Sequence, residues 1–355
     1  MDGFQGALPR TRQTPVGLEQ RLALRLRGAG FAVGAPLVVG FSGGTDSLAL
    51  AAAFARVREP GRRIVLAHVD HGLRPDSADH ADAANALAAT LGLPFRACRI
   101  AGEPRSLHPG LGVEEAARRE RYRLLAAIVR GEGAAALALA HHRDDQAETV
   151  LLHVLRGAGT SGAAAMAETV VRPVPWWDDP EAGPWPLTIW RPLIAEPRAE
   201  LAAYVSATGL APLHDPTNDD PAFRRNLVRH EVLPALEQVW PGAAAALSRH
   251  AALAAEDDAL LSGMAAAVLA EARVHGGLLA ARVSGEPPAI ARRVIRAWLV
   301  DNAPGLEISA ERTDAVFGLL DPGRGGRRID VGQGWTAIGR SGMIRLERRT
   351  GGEDG

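Results

Sequence analysis

Six consecutive residues, Ser42-Gly43-Gly44-Thr45-Asp46-Ser47, bring together two hydroxyls, two glycines and a carboxylate. The glycines let the backbone turn sharply and present its N–H groups, and Leu48 to Val57 reads as a helix whose N-terminal dipole favours an anion. Phosphate is the group such a loop suits. The loop is not of the G-x-x-x-x-G-K-[ST] kind, because the chain contains no lysine. The plainer alternative is a Ser/Gly turn capping a helix, with Asp46 complementing the dipole.

Two further polar clusters have types and spacing fit for chemistry. One is His68-Val69-Asp70-His71-Gly72-Leu73-Arg74, and the other runs from His141 to Thr149. In the second, Asp145 and Glu148 are three apart and share one face of a helix, as do Arg118 and Arg121 upstream. Acids near a helix N-terminus are also what the dipole selects without any catalysis. His141 and His142 are adjacent and lack the i, i+4 spacing of a helical zinc pair, so zinc is not expected.

These clusters need a scaffold that gathers them. Strands are predicted at 37–41, 64–69, 94–100 and 134–140, and helices at 48–57, 76–91, 113–130 and 143–155. Alternation of this kind predicts an α/β fold, a parallel sheet covered by helices on both faces. Ligands of such sheets sit beyond the carboxyl ends of the strands, where all three clusters fall. Val170 to Pro186, with Trp176, Trp177 and Trp185, reads as an irregular excursion whose tryptophans either pack on the sheet or stack on bases. Helices follow at 198–208 and 224–239, with a turn-rich loop at 211–221 between them.

Lys plus Arg number 40 and Asp plus Glu 41, so overall charge announces no nucleic acid and any basic surface must be local. Cys98 is the only cysteine, which excludes intramolecular disulfides, Cys-x-x-Cys zinc sites and cysteine-held iron–sulfur clusters in a monomer. It reads as a buried strand residue. No signal-peptide pattern or membrane-spanning run is apparent, so a cytoplasmic protein without a membrane partner is expected.

From Gly242 to Arg273 an alanine-rich pattern predicts a long helix leading to a small module. The module has helices at 289–300 and 310–320 and strands at 328–331, 335–339 and 343–346. Ile290, Val294, Ile295, Trp298 and Leu299 form its core stripe, leaving Arg292, Arg293 and Arg296 outward. Arg324 to Arg328, including Arg327, form a basic loop. The expected divisions are 1–17, a disordered N-terminus; 18–240, the α/β domain that carries the three clusters and, on the resemblance given next, is the ATP-binding catalytic domain; 241–275, a helical linker; and 276–350, a small α+β module that the same resemblance makes tRNA-binding.

The Ser42–Ser47 loop resembles the S-G-G-x-D-S loop of the PP-loop pyrophosphatases. Asp70-His71-Gly72-Leu73-Arg74, Glu115 to Tyr122, the His141–Thr149 cluster, Leu155-Arg156-Gly157-x-Gly159, Arg191-Pro192-Leu193, Asp215-Pro216-Thr217-Asn218 and Arg225-Asn226-x-x-Arg229 are similar to the signature set of the tRNA(Ile)-lysidine synthetases. The resemblance covers about residues 35 to 235.

It implies an ATP- and Mg²⁺-dependent ligase that joins free L-lysine to C2 of the anticodon cytidine of tRNA(Ile) with a CAU anticodon, through an adenylated base. On that footing Ser42, Gly43, Gly44, Thr45, Asp46, Ser47, His71 and Arg74 would bind ATP, with Asp46 on the metal. Asp145 and Glu148 would handle lysine, Arg118 and Arg121 the activated base or the AMP phosphate. Arg191, Arg225, Arg229, Arg292, Arg296 and Arg327 would hold tRNA, and the resemblance admits a homodimer. Another PP-loop tRNA-modifying ligase, or a non-catalytic RNA-binding relative, is the alternative. Cys98 has no partner for the paired-cysteine chemistry of sulfur insertion.

Overall fold

The computed structural model describes residues 17–57, 59, 61–70, 77–108, 111–173, 186–214, 224–275, 277–303, 306, 308–321 and 326–348. The expectations for Trp176, Trp177, Trp185, Asp215-Pro216-Thr217-Asn218 and Arg324 fall outside these residues. The chain divides into two compact units, Met1–Ala158 with Ala165–Ala251, and Gly159–Ala164 with Ala252–Gly355.

The first unit opens with α1 (Leu18–Gly28), β1 (Leu37–Gly40), α2 (Thr45–Arg56), β2 (Ile64–Asp70), α3 (Ser77–Thr90) and β3 (Phe95–Arg99). The short α4 (Pro104–Leu107), α5 (Val113–Gly131), β4 (Ala136–Ala138) and α6 (Arg143–Leu155) follow; α7 (Thr160–Ala163) belongs to the second unit. Then come β5 (Thr169–Pro173), β6 (Pro186–Trp190), α8 (Arg198–Thr208) and α9 (Arg224–Leu227), which passes through a π turn at Val228–Val232 into α10 (Leu233–Val239).

The strands form one sheet in the order β3-β2-β1-β4-β6-β5, parallel throughout except β5, which runs antiparallel to β6 at the edge. Alternation along β1 shows why the sheet is covered on both sides. Leu37 and Val39 enter a core with residues of α1, α2 and α8, while Val38 faces a second core built with Tyr122, Leu125 and Val129 of α5. A short run with apolar side chains on both faces has no other stable place.

Three elements depart from the sequence reading. The stretch from Val170 starts as a regular strand, with Val170 opposite Ile189 and Val171 opposite Thr188. Its β-branched pair outweighs the surrounding prolines. The partner β6 is a short apolar run framed by Pro186 and Pro192, too brief for periodicity to mark it as a strand. The strand at 134–140 shrinks to Ala136–Ala138, the Leu139 N–H closing its pairing with β6 on the Trp190 carbonyl at 2.8 Å.

In the second unit, α11 (Ala243–Ala272) continues from the first unit, which contains its residues up to Ala251. It is followed by β7 (Arg273–Val274), β8 (Gly277–Leu279), α12 (Ala280–Ser284), α13 (Pro288–Asn302), α14 (Ala310–Phe317), a 3-10 turn at Gly318–Leu320, β9 (Arg328–Gly332), β10 (Trp335–Arg340) and β11 (Met343–Arg348). The five strands form an antiparallel sheet, β7-β8-β11-β10-β9. Ile290, Val294, Ile295, Trp298 and Leu299 are buried as the periodicity predicts. Ala265, Val268, Leu269 and Ala272 of α11 share that core, so the second half of the expected linker helix is a wall of this unit.

Candidate active site

β1 and β4 are neighbours, paired parallel with Leu37 opposite Ala136 and Val39 opposite Ala138. The chain leaves β1 toward β2 on one side of the sheet and reaches β4 and β6 on the other. Their carboxyl ends therefore flank the point where strand order reverses, the usual crevice of such sheets. The loop after β1 carries Ser42 to Ser47, and the loop after β4 carries His141 and His142. The two approach closely, for a Cβ on Gly40 would lie 2.7 Å from the Leu139 Cδ2 atom.

The first loop is tied by its own hydroxyls. Ser47 donates to the Gly44 carbonyl at 3.0 Å, the Ser42 and Ser47 hydroxyls lie 3.1 Å apart, and the Gly44 N–H reaches the Ser42 Oγ at 3.4 Å. Gly44 caps α2 and Asp46 lies in its first turn. Gly43 has φ +82°, and a Cβ there would sit 2.5 Å from Leu213 Cδ1. Gly43→Ala is therefore expected to cost about 1–2 kcal/mol from the left-handed backbone alone, read from urea unfolding. Leu213→Ala in the same chain should relieve only the steric part, and an unstrained Gly43→Ala would contradict the loop geometry.

His142 is 0 % exposed and caps α6, the Asp145 N–H donating to its Nδ1 at 3.3 Å while the Asp145 carboxylate accepts the His142 N–H at 3.0 Å. With Nδ1 accepting, the ring proton belongs on Nε2. That nitrogen faces two carboxylates, 3.4 Å from Asp46 Oδ2 and 3.4 Å from Asp145 Oδ2. Burial alone would push the imidazole pKa down; Asp46, Asp145 and Asp144 raise it above its ordinary value. His142 thus joins the phosphate-type loop to the acidic helix. Only its place before the Asp-Asp pair, as an N-cap, marked it in the sequence.

Asp145 and Glu148 share one face of α6 and are buried. Arg225 donates to Glu148 at 2.9 Å and to Asp145 at 3.1 Å; Arg229 donates to Glu148 at 2.6 Å and to Asp145 at 2.7 Å. Burial would raise the Asp145 pKa, but His142, His141, Arg225 and Arg229 hold it down to about 2. The two arginines expected at a tRNA surface are therefore placed on the carboxylates, four apart along one helical face. Arg191, another, is 4 % exposed and donates to the Ala167 carbonyl at 2.7 Å, bracing backbone inside the fold.

Other residues of the acidic cluster have structural ties. Asp144 accepts the Arg198 N–H at the start of α8, Gln146 exchanges two hydrogen bonds with the Met166 backbone, and Thr149 donates to the Asp145 carbonyl. Arg118 and Arg121 of α5 lie 5.3 and 5.9 Å from the centre of the Tyr122 ring. His68 is buried, with Nδ1 2.9 Å from the Phe41 carbonyl. His71 and Arg74 fall outside the described residues. Arg292, Arg296 and Arg327 are exposed on the second unit. Cys98 sits on β3, where burial pushes its thiol pKa up, away from the reactive thiolate.

Residues 22–236, more than half of the chain, match the PP-loop domain family. Over 317 residues the chain is 41 % identical to the tRNA(Ile)-lysidine synthase of Salinispora arenicola, covering 88 % of this chain and 90 % of that one. The chain belongs to the tRNA(Ile)-lysidine synthase family. It is also 40 % identical to the tRNA(Ile)-lysidine synthases of Xanthomonas campestris pv. campestris, over 75 % of this chain, and Thermus thermophilus, over 74 %. It spans 58 % and 48 % of the length of those two proteins. Among solved structures, the U34-tRNA thiolase NcsA from Methanococcus maripaludis with its [4Fe-4S] cluster shares the fold, with TM-score 0.53 and 18 % identity, covering 66 % of this chain and 78 % of that one. Among the described residues, no helix is long and apolar enough to cross a membrane.

Proposed function

We propose that this member of the tRNA(Ile)-lysidine synthase family uses ATP to ligate free lysine to C2 of the wobble cytidine of tRNA(Ile) with a CAU anticodon. The observation that carries the reading is the unbroken run of contacts from Asp46 through His142 to Asp145 and Glu148. One crevice then holds both a phosphate-type loop and a carboxylate pair.

In the first step the C2 oxygen of cytidine attacks the α-phosphorus of ATP and the bond to pyrophosphate breaks. In this reading the N-terminus of α2 and the Ser42 and Ser47 hydroxyls would supply donors to that leaving group. Asp46 Oδ1 is buried and has no hydrogen-bond partner among the described residues, which fits a carboxylate offering an oxygen to Mg²⁺. No group of three or more His, Cys, Asp or Glu side chains is arranged to hold an ion among those residues, so phosphate and water would complete the shell. When bound, Mg²⁺ would offset charge on the departing pyrophosphate.

In the second step the lysine amine displaces AMP from C2. Asp145 and Glu148 hold cationic guanidiniums in this structure, the charge type a lysine ammonium presents, so Arg225 and Arg229 must yield room when lysine enters. In this reading Arg118 and Arg121 would offset the AMP phosphate.

The deciding experiment supplies labelled lysine to transcript tRNA with a CAU anticodon, with and without ATP. ATP-dependent label in the tRNA supports the reading; pyrophosphate release without label would leave a different PP-loop ligase. For the second unit, Arg292 pairs with Asp314 at 2.5 Å and stacks on Phe317, and Arg296 donates to the Ile308 carbonyl. Such exposed pairs are worth little and yield to phosphate. Arg292→Ala with Arg296→Ala is expected to weaken tRNA binding and to lower the salt slope of log Kd by about 2. An unchanged slope would return both arginines to the solvated surface.

A further inference from the structure

The carboxylates assigned above to the amine have no oxygen to spare. Asp145 Oδ1 accepts from the Nη2 atoms of both arginines, 3.1 Å from Arg225 and 2.7 Å from Arg229. Asp145 Oδ2 accepts the His142 N–H at 3.0 Å. Glu148 Oε1 accepts from Arg229 at 2.6 Å, and Oε2 accepts from Arg225 at 2.9 Å and Arg229 at 3.1 Å. An entering ammonium therefore has to displace a donor. Charge sets the same condition. Two carboxylates and two guanidiniums cancel, the acidic side chains being 9 % and 1 % exposed, and a third cation among them would be a buried charge without a partner.

The two arginines are not held alike. Arg229 makes three bonds, two of them at 2.6 and 2.7 Å, and its side chain is 17 % exposed. Arg225 makes two, at 2.9 and 3.1 Å, and its side chain is 31 % exposed. Arg225 is the guanidinium that leaves more readily, since its bonds are longer and its head already reaches water. An anion to receive it arrives with the reaction. The adenylated base carries a phosphate linkage with a negative charge, and the phosphate-type loop is one imidazole away: His142 Nε2 lies 3.4 Å from Asp46 Oδ2 and 3.4 Å from Asp145 Oδ2.

We propose that Arg225 is the resting occupant of the amine site, keeping lysine out of the free enzyme and giving up its place when a nucleotide phosphate draws it off. The inference rests on the ligase reading and deepens it by setting the order in which the substrates bind. Lysine enters by exchange. Its ammonium takes the positions on Glu148 Oε2 and Asp145 Oδ1 that Arg225 vacates, while Arg229 makes room without leaving. Two cations still face two carboxylates, and the phosphate gains a guanidinium. A site open between about one time in ten and one in a hundred binds about 10- to 100-fold more weakly than its open form.

Equilibrium dialysis of labelled lysine tests this on the full-length chain, alone and with Mg²⁺ and an ATP analogue that carries methylene in place of the α,β-bridging oxygen, so that pyrophosphate cannot leave. Wild type is expected to bind lysine about 10- to 100-fold more tightly with the analogue than without it. Arg225→Ala should bind with the tighter constant in both conditions. Arg225→Lys, which keeps a cation in place, should stay weak without nucleotide. Arg225→Gln, which keeps a donor and removes the charge, gives the same comparison if the alanine variant does not fold. Lysine binding to wild type that is indifferent to the analogue would overturn the inference. So would Arg225→Ala binding no more tightly than wild type, or the same opening produced by Arg229→Gln and not by Arg225→Ala. Incorporation of labelled lysine into tRNA keeps the two readings apart. With incorporation intact these results strike only the role of Arg225, whereas its absence in the wild-type chain would sink the ligase reading itself.

Discussion

Glu148→Gln is expected to lower lysine incorporation by about 10²- to 10⁴-fold, the range that corresponds to losing one partner of a buried charge pair. Glu148 is the most deeply buried carboxylate of the site, with a side chain 1 % exposed, and both of its oxygens are engaged by arginine. Glutamine keeps the volume and one acceptor but brings an NH₂ group against guanidinium donors, and it carries no charge for an ammonium. Pyrophosphate release, which depends on the loop after β1, should be far less affected. The substitution also destabilises the fold. Arg225, 31 % exposed, can turn to water; Arg229, 17 % exposed, is more confined. We therefore expect a loss of about 2–3 kcal/mol, below or at the low end of the usual 3–5 for a broken buried pair. Glu200→Gln is the control: its pair with Arg21 leaves the glutamate 55 % exposed, and neither stability nor incorporation should change. Wild-type lysine transfer by Glu148→Gln would remove Glu148 from the amine site.

The difference between these two glutamates also explains how far the sequence could be read. Strand and helix alternation located the parallel sheet because its signal is periodic and local, and Val38 between Leu37 and Val39 states in three residues that both faces are covered. The phosphate-type loop was equally legible, since glycine and hydroxyl spacing is itself the structure there. The partners of Glu148 were not. Arg225 and Arg229 lie about eighty positions away in sequence, and an outward or inward direction for an arginine on a short helix depends on tertiary packing. The same limit applied to Arg191, whose type suggests a surface and whose environment is a carbonyl in the interior. The helical linker was legible as a helix but not as a core wall, because an alanine-rich face gives periodicity little contrast.

Acidification should expose the two adjacent histidines as opposites. Burial, with Arg191, Arg225 and Arg118, holds His141 down to about 3 in the folded chain, against Asp145, while the unfolded chain takes up that proton near 6.5. Its contribution is fully present above pH 6.5 and is lost as pH falls from there toward 3. Each pH unit in that window costs about 1.4 kcal/mol, so the descent from 6.5 to 4 removes about 3 kcal/mol. His142 behaves in the reverse sense. Its folded pKa is raised, because Asp46, Asp145 and Asp144 together outweigh its burial, so its contribution is complete below 6.5 and is lost as pH rises through the folded value. The two windows barely overlap, and together they place a stability maximum near pH 6.5. Asp145 enters only at the acid end: its lowered pKa gives stability present above 3.8 and lost as pH falls toward 2. Urea unfolding at pH 4, 5, 6.5 and 8 should therefore give a slope on the acid side that His141→Gln reduces between 6.5 and 4, the remainder including His68, whose pKa burial also pushes down. That variant should leave the alkaline side unchanged. If it keeps the full acid slope, the His141 imidazole is not the group that loses stability there.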